Sequence, residues 1–127
     1  MRHRRSEAFR FLFEVPISAF FSIIEVNGKL FDTSEGKAQI IDLSPNGMKL
    51  NTSLRIPISE QNKVKISVRF SLNENEYLLI GRIVWSKEQL GELIYGIHLS
   101  ADTSVKQELM EELKLFSRSL SNKCLNN

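Results

Sequence analysis

Cysteine is nearly missing from this chain of 127 residues, which contains only Cys124. One cysteine excludes an internal disulfide and any site built from several thiolates. Apolar runs are short, and none approaches the roughly 20 residues that span a bilayer. The start is too charged, and its apolar stretch too broken, for a secretory signal peptide. These absences favour a cytoplasmic protein without a membrane span.

Signatures of catalysis and of metal binding are also scarce. The two histidines, His3 and His98, lie far apart in the sequence and do not suggest a pair of metal ligands. Ser44 lacks the Gly-x-Ser-x-Gly surroundings of a nucleophile elbow. The phosphate-binding pattern Gly-x-x-x-x-Gly-Lys does not occur. We therefore expect neither an enzyme nor a protein with a resident cofactor or metal ion.

Positive charge is concentrated at the start of the chain. Residues 1–10 contain four arginines and one glutamate, whereas the net charge of the whole chain is only +2. A basic arm on a near-neutral body points to an anionic partner that the arm reaches; the alternative is a solvated, poorly ordered terminus. Nucleic acid is a poor candidate, because the body is slightly acidic and shows no basic strand face with stacking aromatic residues.

Most of the chain has the pattern of β-strands. Residues 63–70 alternate between apolar and polar side chains, which is typical of a half-buried strand. Residues 16–26, 37–43, 47–52 and 93–99 predict further strands. Residues 77–85 are apolar on both faces apart from Arg82, which predicts a central strand with a largely buried Trp85.

The period changes near the C-terminus, where apolar residues recur at spacings of three and four, as on one face of a helix. Ser104 and Gln107 match a capping box at its start. About six antiparallel strands followed by one helix predict a mainly β fold, either a small barrel or a strongly bent sheet, with the helix over an open end. The helical stripe consists of Val105, Leu109, Leu113, Phe116 and Leu120.

The segment Asp42-Leu43-Ser44-Pro45-Asn46-Gly47 allows two interpretations. All its polar residues favour tight turns for local hydrogen-bonding reasons, and on the motif alone a capped turn is the commoner outcome. The other interpretation is a ligand site. Asp42 and Ser44 can hydrogen-bond the edge of a base, and Gly47 lets a ligand approach the main chain.

Three features coincide in this chain: Arg4-Arg5 and Arg10, the motif Asp42-x-Ser44-x-x-Gly47, and Gly81-Arg-Ile-Val-Trp85 followed by Tyr95-Gly-Ile97. In this combination the chain resembles a PilZ domain, from about Arg4 to the end of the C-terminal helix. The resemblance implies a six-stranded antiparallel β-barrel with a C-terminal α-helix. We expect a flexible basic arm at residues 1–13, the barrel and helix at 14–121, and a frayed tail at 122–127.

The resemblance also implies the ligand, which for this family is the bacterial second messenger cyclic di-GMP. The residues expected to bind it are Arg4, Arg5, Arg10, Asp42, Ser44 and Gly47.

One departure from the family pattern leaves two functions open. The family motif is Arg-x-x-x-Arg, but four positions before Arg10 stands Ser6, and Arg5 is one residue early. The first function is a receptor that orders its arginine arm over the barrel when cyclic di-GMP binds and passes the signal to a downstream protein. The second is a PilZ-like protein-interaction adaptor that has lost nucleotide binding. Titration with the dinucleotide distinguishes them.

Overall fold

Seven strands and one helix make up the computed structural model, which describes residues 10–59 and 61–125, with side chains as far as residue 120. β1 is the longest strand, and β2 has only two residues. The elements are β1 (Phe11–Val26), β2 (Lys29–Leu30), β3 (Gly36–Ser44), β4 (Gly47–Thr52), β5 (Val64–Leu72), β6 (Asn75–Gln89), β7 (Glu92–Leu99) and α1 (Thr103–Leu125).

The sheet closes on itself. Its strands follow the order β1-β3-β4-β7-β6-β5, every neighbouring pair is antiparallel, and β5 pairs again with β1. β2 only extends the end of β1. The predicted six-stranded antiparallel barrel with a C-terminal helix is therefore confirmed. Residues 11–13, expected in the arm, lie in β1, and α1 continues past residue 121 to Leu125.

Each barrel strand buries one face. In β5, the alternating apolar residues Val64, Ile66, Val68 and Phe70 are buried, as their pattern predicts. β6 lies between β5 and β7, as the prediction of a central strand requires, but Leu78 is 63% exposed between buried neighbours, so only one of its two apolar faces is buried. The reason is geometric: a strand in a closed barrel has one face towards the core, and no second layer covers the other.

The helix begins with an aspartate cap. The Asp102 carboxylate accepts hydrogen bonds from the Val105 backbone N–H and from the Ser104 hydroxyl, each at 2.9 Å. These bonds, the one from Val105 first, lower the pKa of Asp102. The predicted cap at Ser104 is therefore wrong by two residues: the cap is Asp102, which directly precedes the first helical residue, Thr103. Of the predicted stripe, Leu109 and Leu113 join the barrel core.

A buried carboxylate attaches the helix to the turn between β5 and β6. Glu112 accepts hydrogen bonds from the Asn73 and Asn75 side-chain amides at 2.8 and 3.1 Å, and from the Tyr77 hydroxyl at 3.0 Å. The bond from Asn73, followed by those from Tyr77 and Asn75, lowers the pKa of Glu112 against the effect of burial. Three neutral donors thus stabilise one charge at the helix–barrel contact.

Aromatic rings attach the start of β1 to the same helix. Phe116 makes edge-to-face contacts with Phe11 and Phe13, with ring centroids 5.5 Å apart in both pairs. Phe11 and Phe13 contact each other at 5.0 Å. Such pairs stabilise by about 0.5–1.5 kcal/mol beyond their buried area. The backbone just after Arg10 is therefore held in place.

Candidate functional site

The turn between β3 and β4 is built around one hydroxyl. Ser44 is 4% exposed, and its Oγ accepts the backbone N–H groups of Asn46 and Gly47 at 3.3 and 3.2 Å. The same hydroxyl donates to the Gly47 carbonyl at 3.3 Å. The capped turn expected from the motif is therefore present, and Ser44 has a structural role in it.

Gly47 lies where two strands approach closely. A Cβ at this position would be 2.8 Å from the Ile97 carbonyl oxygen of β7 and 3.8 Å from a guanidinium nitrogen of Arg10. The first distance is too short for any side chain, so glycine is required by the packing of β4 against β7. The absence of a side chain also leaves the Arg10 guanidinium beside bare backbone.

Asp42 is a nearly buried carboxylate between two cations. Its Oδ1 accepts a hydrogen bond from Arg10 Nη1 at 2.6 Å, and its Oδ2 lies 3.7 Å from Lys49 Nζ. The side chain of Asp42 is 4% exposed, whereas those of Arg10 and Lys49 are 47% and 44% exposed. The carboxylate therefore compensates two charges that also face the solvent.

Strand register explains this arrangement. Asp42 lies opposite Leu12 on β1 and opposite Lys49 on β4. Arg10 directly precedes β1, two residues before Leu12, and therefore lies beside the β3–β4 turn. The structure thus brings together four of the six predicted site residues: Arg10, Asp42, Ser44 and Gly47. The other two, Arg4 and Arg5, lie outside the described residues.

A groove of about 370 Å³ runs from this turn across β7 to β6. One side carries Arg10 and the turn, and the other carries exposed side chains of β6 and β7. Its lining residues are Arg10, Ser44, Asn46, Gly47, Met48, Lys49, Val84, Trp85, Gly96, Ile97 and His98.

Trp85 forms one wall of the groove. A register shift in β6 between Ile83 and Trp85 places the tryptophan opposite Gly96 of β7. The indole ring lies directly against the Gly96 backbone, where any Cβ would collide with it. Trp85 is 39% exposed, so the predicted burial is wrong. The β-bulge turns the side chain outwards, and the opposing glycine leaves room for the ring.

Eight of the eleven groove residues were not among the predicted site residues, and these include Lys49, Trp85 and His98. Strand alternation placed His98 on the polar face of its strand, and it is exposed there. Lys49 follows Gly47 by two residues, so it was detectable as a cation close to the motif. For Trp85, the sequence offered one clue to its exposed position, which is Gly96 in Tyr95-Gly-Ile97. That Trp85 lies opposite Gly96, however, depends on the register of β6 and β7.

The groove combines chemical groups that suit a ligand with negative charge and a flat ring. Arg10 and Lys49 supply positive charge, and guanidinium groups form forked hydrogen bonds with phosphates and with guanine. The exposed indole offers a flat surface for a base. Among residues 10–59 and 61–125 there is no group of three or more His, Cys, Asp or Glu placed to hold a metal ion. Across the same residues, no helix has the length and apolar character to cross a membrane.

Several solved structures resemble this fold, among them the following two. The first is YcgR from Escherichia coli in complex with c-di-GMP, with a TM-score of 0.67, 17% sequence identity and coverage of 93% of this chain. This chain spans about half the length of that protein, 48%. The second is the PilZ domain of CeSA from a cellulose synthesizing bacterium, with a TM-score of 0.55, 16% identity and coverage of 86% of this chain and 95% of that one.

Two comparisons by sequence give different results. A search of curated proteins finds no match. The family model of the PilZ domain, however, matches residues 3–116, which include Arg4, Arg5 and Arg10, the β3–β4 turn, and strands β4, β6 and β7 of the groove. The chain belongs to the PilZ domain family.

Proposed function

We propose that this protein is a receptor that binds cyclic di-GMP in the groove between the β3–β4 turn and Trp85. The observation that carries the proposal is the Arg10 guanidinium, held at 2.6 Å from Asp42 beside the bare backbone of Gly47. Membership of the PilZ family supports it. The fold shared with YcgR, which was solved with c-di-GMP, is consistent with it.

Each part of the ligand has a chemical counterpart in the groove or, for Asp42, next to the groove residues Arg10 and Lys49. Cyclic di-GMP carries two phosphates and two guanines. Arg10 and Lys49 can neutralise phosphate charge, and Trp85 can stack on a guanine. The carboxylate of Asp42 can accept hydrogen bonds from the N–H edge of guanine.

Binding would require an exchange of partners at Asp42. Its two oxygens are engaged by Arg10 and Lys49, and little of the side chain is exposed. A guanine edge can reach Oδ1 only when Arg10 turns towards the ligand. Lys49 would remain near Oδ2, so the nearly buried carboxylate would keep one positive partner. A buried carboxylate without any positive partner would destabilise the protein.

The arginine arm completes the proposal. Arg4 or Arg5 would supply the second arginine of the family motif, with the extra residue before Arg10 accommodated by a bulge in the arm. Ordering of the arm over the barrel would create a new surface, and a downstream protein would recognise it. The receptor would act in the cytoplasm and would catalyse no reaction.

Isothermal titration of the full chain with cyclic di-GMP tests the proposal. We expect binding that Arg10→Ala weakens at least tenfold, because a hydrogen bond to a charged group contributes about 1.5–3 kcal/mol. Arg118→Ala, an exposed arginine on α1, is the matched control and should bind like the wild type. A variant lacking residues 1–9 separates the arm from Arg10 and should bind more weakly than the full chain.

Two results would contradict parts of the proposal. Absence of binding by the folded wild type would overturn the receptor function and favour the ligand-free adaptor. Binding by the wild type together with equal affinity in the variant without residues 1–9 would overturn only the arm mechanism. Circular dichroism of each variant establishes that the barrel is folded.

A further inference from the structure

The outer face of β6 carries apolar side chains that are exposed and do not belong to the barrel core. Leu78, Ile80 and Val84 are 63%, 41% and 50% exposed, although their neighbours along the strand, such as Leu79, are buried. Alternate residues of a strand point to the same face, so these side chains and Arg82 form one row, here called the β6 stripe. Several exposed apolar side chains in one row around a single charge are typical of an interaction site.

Arg82 is the charged residue of the β6 stripe. Arg82 is exposed, and its cross-strand neighbours are Lys65 on β5 and His98 on β7. Among the described residues, Lys65 pairs with Glu25 at 3.8 Å, but no carboxylate forms an ion pair with Arg82. A partner that covers the stripe must therefore supply a negative charge, or Arg82 would be buried unpaired at a high cost.

The backbone around Ile80 and Arg82 is occupied on both sides. Arg82 pairs with both neighbouring strands, and the Ile80 carbonyl accepts a hydrogen bond from the Ser100 N–H at 2.8 Å. A partner cannot add a strand at this point and must bind through side chains. Alternate residues along a strand are about 6.7 Å apart, close to the roughly 6 Å rise between residues i and i+4 of a helix.

We infer that the β6 stripe docks an amphipathic helix of another protein, with apolar residues on Leu78, Ile80 and Val84 and a carboxylate paired with Arg82. A second copy of this chain fits less well. Glu76 continues the same row of β6 residues, but its carboxylate already pairs with Arg69 at 3.2 Å, so a facing copy would offer Arg82 no free carboxylate. Because Val84 also lines the groove, the docked helix would lie beside the proposed nucleotide site. The inference goes beyond nucleotide binding and has a separate readout.

Site-specific photo-crosslinking tests this inference. The full chain is produced in its own cells with p-benzoylphenylalanine in place of Ile80 and, in a second variant, in place of Leu78. The control carries it in place of Val15, which is 79% exposed on β1 and outside the stripe. We expect adducts from the two stripe positions and none from Val15. Mass spectrometry should locate the crosslink in a helical segment that contains Asp or Glu.

A charge reversal makes the test specific. Arg82→Glu should abolish the adduct, and replacing the partner's carboxylate with lysine should restore it. Arg82 is exposed, so the melting temperature of the variant should match that of the wild type. The inference is overturned by any of three results: no adduct from either stripe position, an adduct that persists in Arg82→Glu, or an adduct with a second copy of this chain.

Discussion

The ion pair between Arg10 and Asp42 should stabilise the protein measurably even without ligand. The two atoms are 2.6 Å apart, with one partner nearly buried and the other half exposed. A hydrogen bond between charged groups contributes about 1.5–3 kcal/mol, but exposed pairs contribute at most about 1 kcal/mol because water screens them. For this intermediate geometry we expect about 1–2 kcal/mol.

A double-mutant cycle measures this energy. Arg10→Met removes the charge and keeps the length of the side chain, and Asp42→Asn keeps its shape. Urea denaturation of the wild type, both single variants and the double variant gives the coupling free energy. We expect about 1–2 kcal/mol, with each kcal/mol lowering the melting temperature by about 4 °C.

A second cycle provides the control. Arg55 and Glu88 form an ion pair at 3.4 Å in which the side chains are 70% and 57% exposed. Their coupling should be below about 0.5 kcal/mol, because water screens both charges. If the two cycles gave equal coupling, or if Arg10 and Asp42 showed none, the reasoning would be refuted: Arg10 would not be held at the groove in the absence of ligand.

Three further predictions concern other parts of the barrel. Trp85→Ala should lower cyclic di-GMP affinity about tenfold, since base stacking contributes ~1–3 kcal/mol, and calorimetry showing unchanged affinity would remove Trp85 from the site. Leu90 is 97% exposed at a backbone φ of 53°. Because asparagine tolerates this conformation, Leu90→Asn should raise the free energy of unfolding, measured in urea, by about 0.5–1 kcal/mol. A lower free energy of unfolding would contradict the turn geometry. Because the hydrogen bond from Asn73 lowers the pKa of Glu112, Glu112→Gln should destabilise the protein at pH 7. The difference in free energy of unfolding between wild type and variant should shrink as the pH falls below the glutamate pKa of the unfolded chain, about 4.3. A difference that does not change with pH would show that the charge does not contribute to stability.

Local patterns predicted the elements of this fold because they depend on neighbouring residues only. Alternation identified β5, and the spacing of Leu109 and Leu113 identified the buried face of the helix. The helix cap was missed by two residues, because Asp102 and Ser104 are both suitable caps and only the backbone geometry selects one. The β3–β4 turn forms as expected, since Ser44 and Gly47 bond within it.

The exposure of Trp85 could not be predicted from the sequence. In the sequence it belongs to an apolar run, and an apolar run is compatible with burial on one face or on both. The outcome depends on a register shift in β6 and on Gly96 in the next strand. Neither the shift nor the pairing can be deduced from residues 77–85 alone.

The sequence by itself determined that the chain is mainly β with one helix, that its turn motif and arginines resemble those of the PilZ family, and that positive charge is concentrated at its start. These properties follow from composition and short-range spacing. Only the tertiary structure decided that Arg10 and Lys49 lie on the two sides of Asp42, that Trp85 forms a wall of the groove, and that the outer face of β6 is uncovered. Barrel closure and strand register bring distant residues together, and those contacts depend on the packing of all six strands at once.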